Sequence, residues 1–363
     1  MNSNLPRSNS EPISTTTGEY IENYVTKLNK TNWKVPLYYQ QLTSFGFGTY
    51  GQVCKAMDTK RNRWVAIKKL ARPFSSSAHA KRTFREIFLL KRLKHDNIIK
   101  LFELYSSDND YASLHDIYII TELMGGDLSN VIKSQQLSPD HIVFISYQIL
   151  RGLKFIHSAG VIHRDLKPAN IGISENCDVK ILDFGLARQS EDVMTGYIST
   201  RWYRAPEVML NWMCYTEKVD IWSVGCIMIE MLTQKVLFPG NEHVDQLNKI
   251  LALLGKPSNE LIESINSIEA RTYVKNLPPW RRQNFCEIFP MMSITELDLY
   301  GNIFILNPTN RYSSIDCLAH PYFEKFANPE DEPTCTPVDT SLEKKDLLLI
   351  EWKSNFINFK RIN

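Results

Sequence analysis

The spacing of apolar and polar positions changes character along the chain. From about Tyr38 to Leu70 the apolar stretches are short, interrupted by a glycine cluster and a turn signal at Asp58 to Asn62, and followed by Trp64-Val65-Ala66-Ile67, which predicts strands. SSAHAKRTFREIFLLKRLKH then spaces Ala80, Phe84, Ile87, Phe88 and Lys91 by threes and fours, predicting one face of a helix. DIYIITEL predicts a further strand and GGD a break. Beyond Gly126 the pattern predicts long helices, of which 138 to 159 is the clearest: Ser138 caps it, Pro139 suits its first position and Gly160 ends it. VDIWSVGCIMIEML is apolar all round, as a core helix must be. Residues 1 to about 19 are rich in Ser, Thr, Asn and Pro and are expected to form a disordered arm. The expectation is an α+β chain with a small sheet-rich lobe, a short linker and a larger helical lobe, without internal repeats.

Composition narrows the partners. At 363 residues with 43% hydrophobic and 23% charged side chains, the chain is long enough for two lobes with a large core. A net charge of +2 gives no reason to expect nucleic acid or membrane partners, so electrostatic recognition has to come from patches. Seven cysteines without a C-x-x-C pair fit neither a disulfide framework nor a zinc site and suggest a reducing compartment, with most of them expected to be buried small hydrophobes. With neither a signal peptide nor an apolar run near the ~20 residues that span a bilayer, a cytoplasmic and nuclear location is expected.

Several motifs carry chemistry. Gly46-Phe47-Gly48-Thr49-Tyr50-Gly51-Gln52-Val53 is G-x-G-x-x-G-x-V, which lets backbone amides approach phosphate oxygens. A dinucleotide-binding turn needs a helix directly after the glycines, whereas Val53 to Met57 predicts a strand; a plain flexible hairpin is the other reading. Lys68 lies on a predicted strand and Glu86 on the predicted helix, and pairing them would hold an ammonium rigidly against phosphate, although a surface ion pair is the blander alternative. In His163-Arg164-Asp165-Leu166-Lys167-Pro168-Ala169-Asn170, Asp165 suits a general base, Lys167 a charge neutraliser and Asn170 an oxygen ligand for Mg²⁺. Asp183-Phe184-Gly185 follows, with Asp183 as a second magnesium ligand.

With these residues in this order, the chain resembles the eukaryotic protein kinases from about Tyr38 to Phe323, including Ala205-Pro206-Glu207, Asp220 and Arg311. The resemblance implies the two-lobed kinase fold with ATP in its cleft and Mg²⁺ as the ion. Its ATP contacts would include Gly46 to Gly51, Val53, Ala66 and Lys68, with Thr121 as gatekeeper, Leu123 and Met124 as the adenine-facing linker and Asp127 at the ribose. Arg311 would pair with Glu207. HRDLKPAN, ILDFGLAR, MTGY and TRWYRAPE are similar to the mitogen-activated protein kinases of the stress-activated, thirty-eight-kilodalton type. That implies residues 1–36 as an N-terminal extension, 37–123 as the N-lobe, 124–325 as the C-lobe with an insert near 240–290, and 326–363 as a C-terminal extension.

The same resemblance makes Thr195 and Tyr197 phosphorylation sites for an upstream dual-specificity kinase, with Arg82, Arg85, Arg164 and Arg188 converging on phospho-Thr195 and with Arg201 and Arg204 meeting phospho-Tyr197. The substrates implied are Ser/Thr-Pro sites in proteins, and the enzyme is expected to be monomeric. Phosphatases and substrates with basic motifs would dock on Glu175, Glu330 and Asp331. Five positions depart from the usual pattern: Ala169 stands where a serine is typical, Asn176 and Asn328 where acids are usual, and Ile198-Ser199 replaces Val-Ala. Weaker docking of strongly basic motifs is expected, unless Glu332 compensates.

Overall fold

The structure, a computed structural model, describes residues 13–14, 20–48, 51–70, 72–108, 114–189, 201–210, 216–339 and 341–361. The chain divides into two units, one taking the sequence up to Arg92, Ile99–Met124 and the stretch from Ser341, the other Leu93–Ile98 and Gly125–Thr340.

The first unit opens with two short antiparallel strands, β1 (Ile13–Ser14) and β2 (Tyr20–Ile21), and a hairpin of β3 (Asn23–Leu28) and β4 (Thr31–Pro36). Its turn residues Asn29 and Lys30 both have positive φ, 47° and 64°, the twist that suits a two-residue hairpin. Ile13–Ser14 lies within the arm expected to be disordered, and the other paired strands lie where the sequence predicts no more than an extension. The sheet proper is antiparallel, built from β5 (Tyr39–Gly48), β6 (Gly51–Asp58), β7 (Arg63–Leu70), β8 (Leu101–Tyr105) and β9 (Tyr118–Glu122) in the spatial order β5-β6-β7-β9-β8, with α1 (Ser77–Arg92) connecting β7 to β8. Trp33 and Val35 of the hairpin are buried in one core with Tyr39, Cys54, Ala56, Val65, Ile67, Tyr118 and Ile120. On α1 the buried set is Ala80, Thr83, Phe84, Arg85, Glu86, Ile87, Leu89 and Leu90, so the helix is covered on more than one side; Phe88 and Lys91, expected on its buried face, are only half-buried.

In the second unit β10 (Gly126–Asp127) leads into α2 (Leu128–Ser134), and α3 (Pro139–Ser158) follows, its N-terminus capped by Ser138 accepting a bond from the His141 amide. Gly160 has φ +75°, the left-handed conformation that ends a helix. Next come β11 (Val161–Ile162), β12 (Ile171–Ile173), β13 (Val179–Ile181) and β14 (Arg188–Gln189), with β10, β12 and β13 forming one sheet and β11 and β14 another. After the short α4 (Pro206–Met209), α5 (Lys218–Thr233) runs through the core with Ile221, Trp222, Val224, Ile227 and Met228 all buried. The remaining helices are α6 (His243–Leu254), α7 (Asn259–Glu263), α8 (Ile268–Asn276), α9 (Phe285–Ile288), α10 (Ile294–Ile303) and α11 (Ser314–Leu318).

The chain closes with α12 (Leu349–Arg361), which returns to the first unit and packs on α1, with Trp352 and Phe356 buried and the Trp352 ring 5.4 Å from that of Phe84. Of the six described cysteines, all free, Cys54, Cys226 and Cys317 are buried as expected, but Cys286 is exposed and Cys177 and Cys335 half-buried. No helix among the described residues is long and apolar enough to cross a membrane.

Candidate active site

The glycine-rich motif forms the tip of the β5–β6 hairpin, pairing Gly46 with Val53, Phe47 with Gln52 and Gly48 with Gly51. A strand follows the glycines, which removes the dinucleotide-turn reading. Thr49 and Tyr50 lie outside the described residues. Gly51 is required sterically: a Cβ there would lie 2.2 Å from the Lys69 carbonyl oxygen. On β7, Lys68 stands opposite Val53 on one side and Ile119 on the other, while Ala66 stands opposite Thr121. Lys68 Nζ donates to Glu86 Oε1 at 2.6 Å, with the carboxylate almost fully buried. A short charge-assisted bond of this kind fixes a long, flexible lysine in one position, which a surface pair would not do. Leu123 and Met124 follow β9 in irregular chain.

In the second unit the catalytic-loop candidates form one bonded cluster. Asp165 is 8% exposed; its Oδ2 accepts Lys167 Nζ and Asn170 Nδ2, both at 2.9 Å, and its carbonyl accepts Asn170 Nδ2 at 2.8 Å. Two of these three bonds come from the amide nitrogen of Asn170, so its amide oxygen is the acceptor end and suits a hard cation. Asp183 has φ +58°, and its carboxylate accepts the Gly185 amide at 3.2 Å. Asn170 and Asp183 thus offer the oxygen donors that Mg²⁺ prefers, and the residues fit the ion.

The loop is held from beneath by Asp220, fully buried on α5. Its Oδ2 accepts the His163 amide at 2.8 Å and its Oδ1 the Arg164 amide at 2.8 Å, so it fixes Arg164 in a left-handed conformation of φ +71°. His157 Nε2 donates to the same carboxylate at 2.9 Å. Burial alone would push the Asp220 carboxyl up, but the His157 bond and charge, the His163 charge and the Arg164 amide outweigh it and hold the group below the usual carboxylate range. His163 Nε2 donates to the Leu182 carbonyl at 2.9 Å, tying the loop to the residue before Asp183. His157 was missed by sequence reading; a polar residue inside an apolar helix was its only signal.

The activation segment is described at its ends. Thr195, Tyr197, Ile198 and Ser199 lie outside the described residues, as do the side chain of Arg188 and that of Phe47. Arg164 Nη1 donates to the Leu186 carbonyl at 3.3 Å, and Arg201 to the Asn241 carbonyl. Arg204 is half-buried just before α4. Arg82 and Arg85 lie on α1, Arg85 buried. Glu207 and Arg311 form a two-bond pair of 2.6 and 2.9 Å with both side chains buried, and the guanidinium lies over the Trp222 ring. Asp127 caps α2, accepting the Asn130 amide at 2.9 Å and its side-chain nitrogen at 2.8 Å, so its carboxylate has a structural task beside any ribose contact.

The candidate docking acids differ from one another. Glu175, Glu330 and Asp331 are exposed, Asp331 while accepting a 2.7 Å bond from Arg151, whereas Glu332 is buried against Lys154 and the Tyr147 hydroxyl. Glu332 is therefore spoken for within the fold and does not replace an exposed acid. Arg151 also bonds Asn97, whose amide reaches Gln148 and the Val179 carbonyl, a buried polar network that sequence reading missed because its members lie far apart in the chain.

Comparison with known proteins follows the same line. Residues 39–323 match the protein kinase domain family. The chain is 51% identical over 330 residues to mitogen-activated protein kinase 14 of Xenopus laevis and 50% identical over 333 residues to mitogen-activated protein kinase p38a of Drosophila melanogaster, with 91% of each chain covered in both cases.

Proposed function

Because the chain belongs to the protein kinase family and, within it, to the mitogen-activated protein kinases, we propose that this ATP-dependent serine/threonine kinase acts on Ser/Thr-Pro sites and requires phosphorylation of both Thr195 and Tyr197. The observation that carries the catalytic part is the cluster around Asp165, in which one carboxylate oxygen is oriented by Lys167 and Asn170 while Asp220 holds the backbone. In the proposed mechanism Asp165 accepts the proton of the substrate hydroxyl as it attacks the γ-phosphorus. Lys167 offsets charge on the phosphoryl group in transit, and Lys68, held by Glu86, orients the α- and β-phosphates. Asn170 and Asp183 would hold magnesium, whose chemistry is to neutralise charge on phosphate oxygens.

Control would lie in the activation segment. A phosphate on Thr195 adds about 1.5 to 2 negative charges, which Arg82, Arg85, Arg164 and Arg188 would receive; one on Tyr197 would be received by Arg201 and Arg204. An upstream dual-specificity MAP kinase kinase would supply both. Basic docking motifs of activators, phosphatases and substrates would meet Glu175, Glu330 and Asp331, and the protein would work as a monomer in cytoplasm and nucleus. Activity after treatment with such a kinase, compared between wild type and Thr195→Ala/Tyr197→Phe, tests the control: the double variant stays at the basal rate, and equal activation of both proteins would sink it.

A further inference from the structure

Besides the sites assigned above, the chain offers its own Ser/Thr-Pro dipeptides. Only two of its 17 prolines follow a serine or threonine: Pro139 after Ser138 and Pro337 after Thr336. The fold treats them differently. Ser138 caps α3, its hydroxyl oxygen accepting the His141 amide at 3.3 Å and lying 3.0 Å from His141 Nδ1, and Pro139 is already helical, so the acceptor and the residues after it are locked in a helix start. Thr336 lies in a stretch, 332–339, with no helix or strand, and both Thr336 and Pro337 are exposed. That stretch is anchored at its start by buried Glu332, which accepts bonds from Lys154 and the Tyr147 hydroxyl; on either side of Thr336 the Cys335 amide donates to Ser158 Oγ at 2.7 Å and the Val338 amide to the Ala159 carbonyl at 3.0 Å, with the Val338 side chain buried. Detaching a few residues here opens no regular element, whereas detaching Ser138 uncaps a long core helix.

We propose that Thr336 is a phosphorylation site modified by a second copy of this chain; this rests on the Ser/Thr-Pro reading of the active site. The Thr336 hydroxyl oxygen forms the new bond to the γ-phosphorus, and the bond from that phosphorus to the bridging oxygen breaks. ADP leaves with the electron pair, and the hydroxyl proton passes to Asp165 of the copy acting as enzyme and then to solvent. The product adds about 1.5 to 2 negative charges to a segment that carries Glu330, Asp331, Glu332 and Asp339 and has no Lys or Arg from 326 to 343. Charge at the surface beside Asp331 thereby becomes adjustable, which the two asparagines at positions 176 and 328 leave low.

The test incubates isotope-marked, full-length Asp165→Asn chain, which cannot label itself, with Mg-ATP and a small amount of doubly phosphorylated wild type, beside a matched pair of Ser-Pro and Ser-Ala peptides. Phosphopeptide mapping is expected to find phosphate on Thr336 of the marked chain. The label is kept when the marked chain also carries Thr336→Ser, lost with Thr336→Ala, and strongly reduced with Pro337→Ala. If the Ser-Pro peptide is labelled and Thr336 is not, or the phosphate falls on Ser138, the inference is wrong while the reading beneath it stands. If both peptides are labelled equally, the Ser/Thr-Pro reading fails and the inference with it.

Discussion

At the scale of single residues, Asp165, Asp220, Glu207 and Arg311 are all buried and act through fixed partners. Asp165→Asn removes the proton acceptor while keeping shape, and kcat is expected to fall by about 10²- to 10⁴-fold with little change in unfolding midpoint; steady-state kinetics with thermal unfolding checks both. Arg311→Ala leaves the Glu207 carboxylate buried without its two-bond partner. Its cost is expected to be about 3–5 kcal/mol in chemical denaturation. Asp220 adds a pH dependence whose sign is fixed by its depressed carboxyl. The group contributes stability that is fully present above its ordinary value of 3.8 and lost as pH falls through the lower folded value. Wild type and Asp220→Asn should therefore differ in unfolding free energy at neutral pH and converge in acid below about pH 4; a gap that stays constant down to pH 2 would contradict this.

At the scale of elements, α12 and α1 share a core that neither could close alone. Trp352 lies against Phe84 and Ala80, and Phe356 is 6.0 Å from Phe74. Trp352→Ala is expected to cost about 3–5 kcal/mol, whereas Leu348→Ala, at a site 69% exposed, should stay within about 0.5 kcal/mol; denaturant titration of the two variants distinguishes the cases. Elements of this kind also show what the sequence made legible. The α3 cap at Ser138, the buried helix α5 and the turn after β6 follow from local pattern, because one residue type at one place decides each. The β3–β4 hairpin was hidden because Asn29-Lys30 lacks the glycine that usually marks such a turn. The seat of α12 was hidden because it depends on residues more than 250 positions away. On α1 the expected stripe was too narrow, since the helix buries residues on more than one side.

For the whole molecule, net charge says little and the local balance of charge says more. The active-site candidates were legible because they form a spaced set of motifs, and the structure brings Lys68 to Glu86, and Lys167 and Asn170 to Asp165. The docking acids were harder to read, because sequence alone does not reveal that Glu332 is buried against Lys154 or that Arg151 bonds Asp331. With those charges already paired, Asn328→Asp together with Asn176→Asp should raise affinity for a basic docking peptide, and the gain should shrink with salt. A titration at two ionic strengths checks it, and unchanged affinity would count against the docking account.

The central claim is that Asp165 drives phosphoryl transfer to hydroxyls followed by proline once Thr195 and Tyr197 are phosphorylated. The most direct measurement is kcat/KM of the doubly phosphorylated chain on two peptides that differ only in Thr-Pro against Thr-Ala, with the Asp165→Asn chain in parallel. The account predicts a strong preference for the proline peptide and loss of turnover on both in the variant. Equal rates on the two peptides, or undiminished turnover without Asp165, would contradict it.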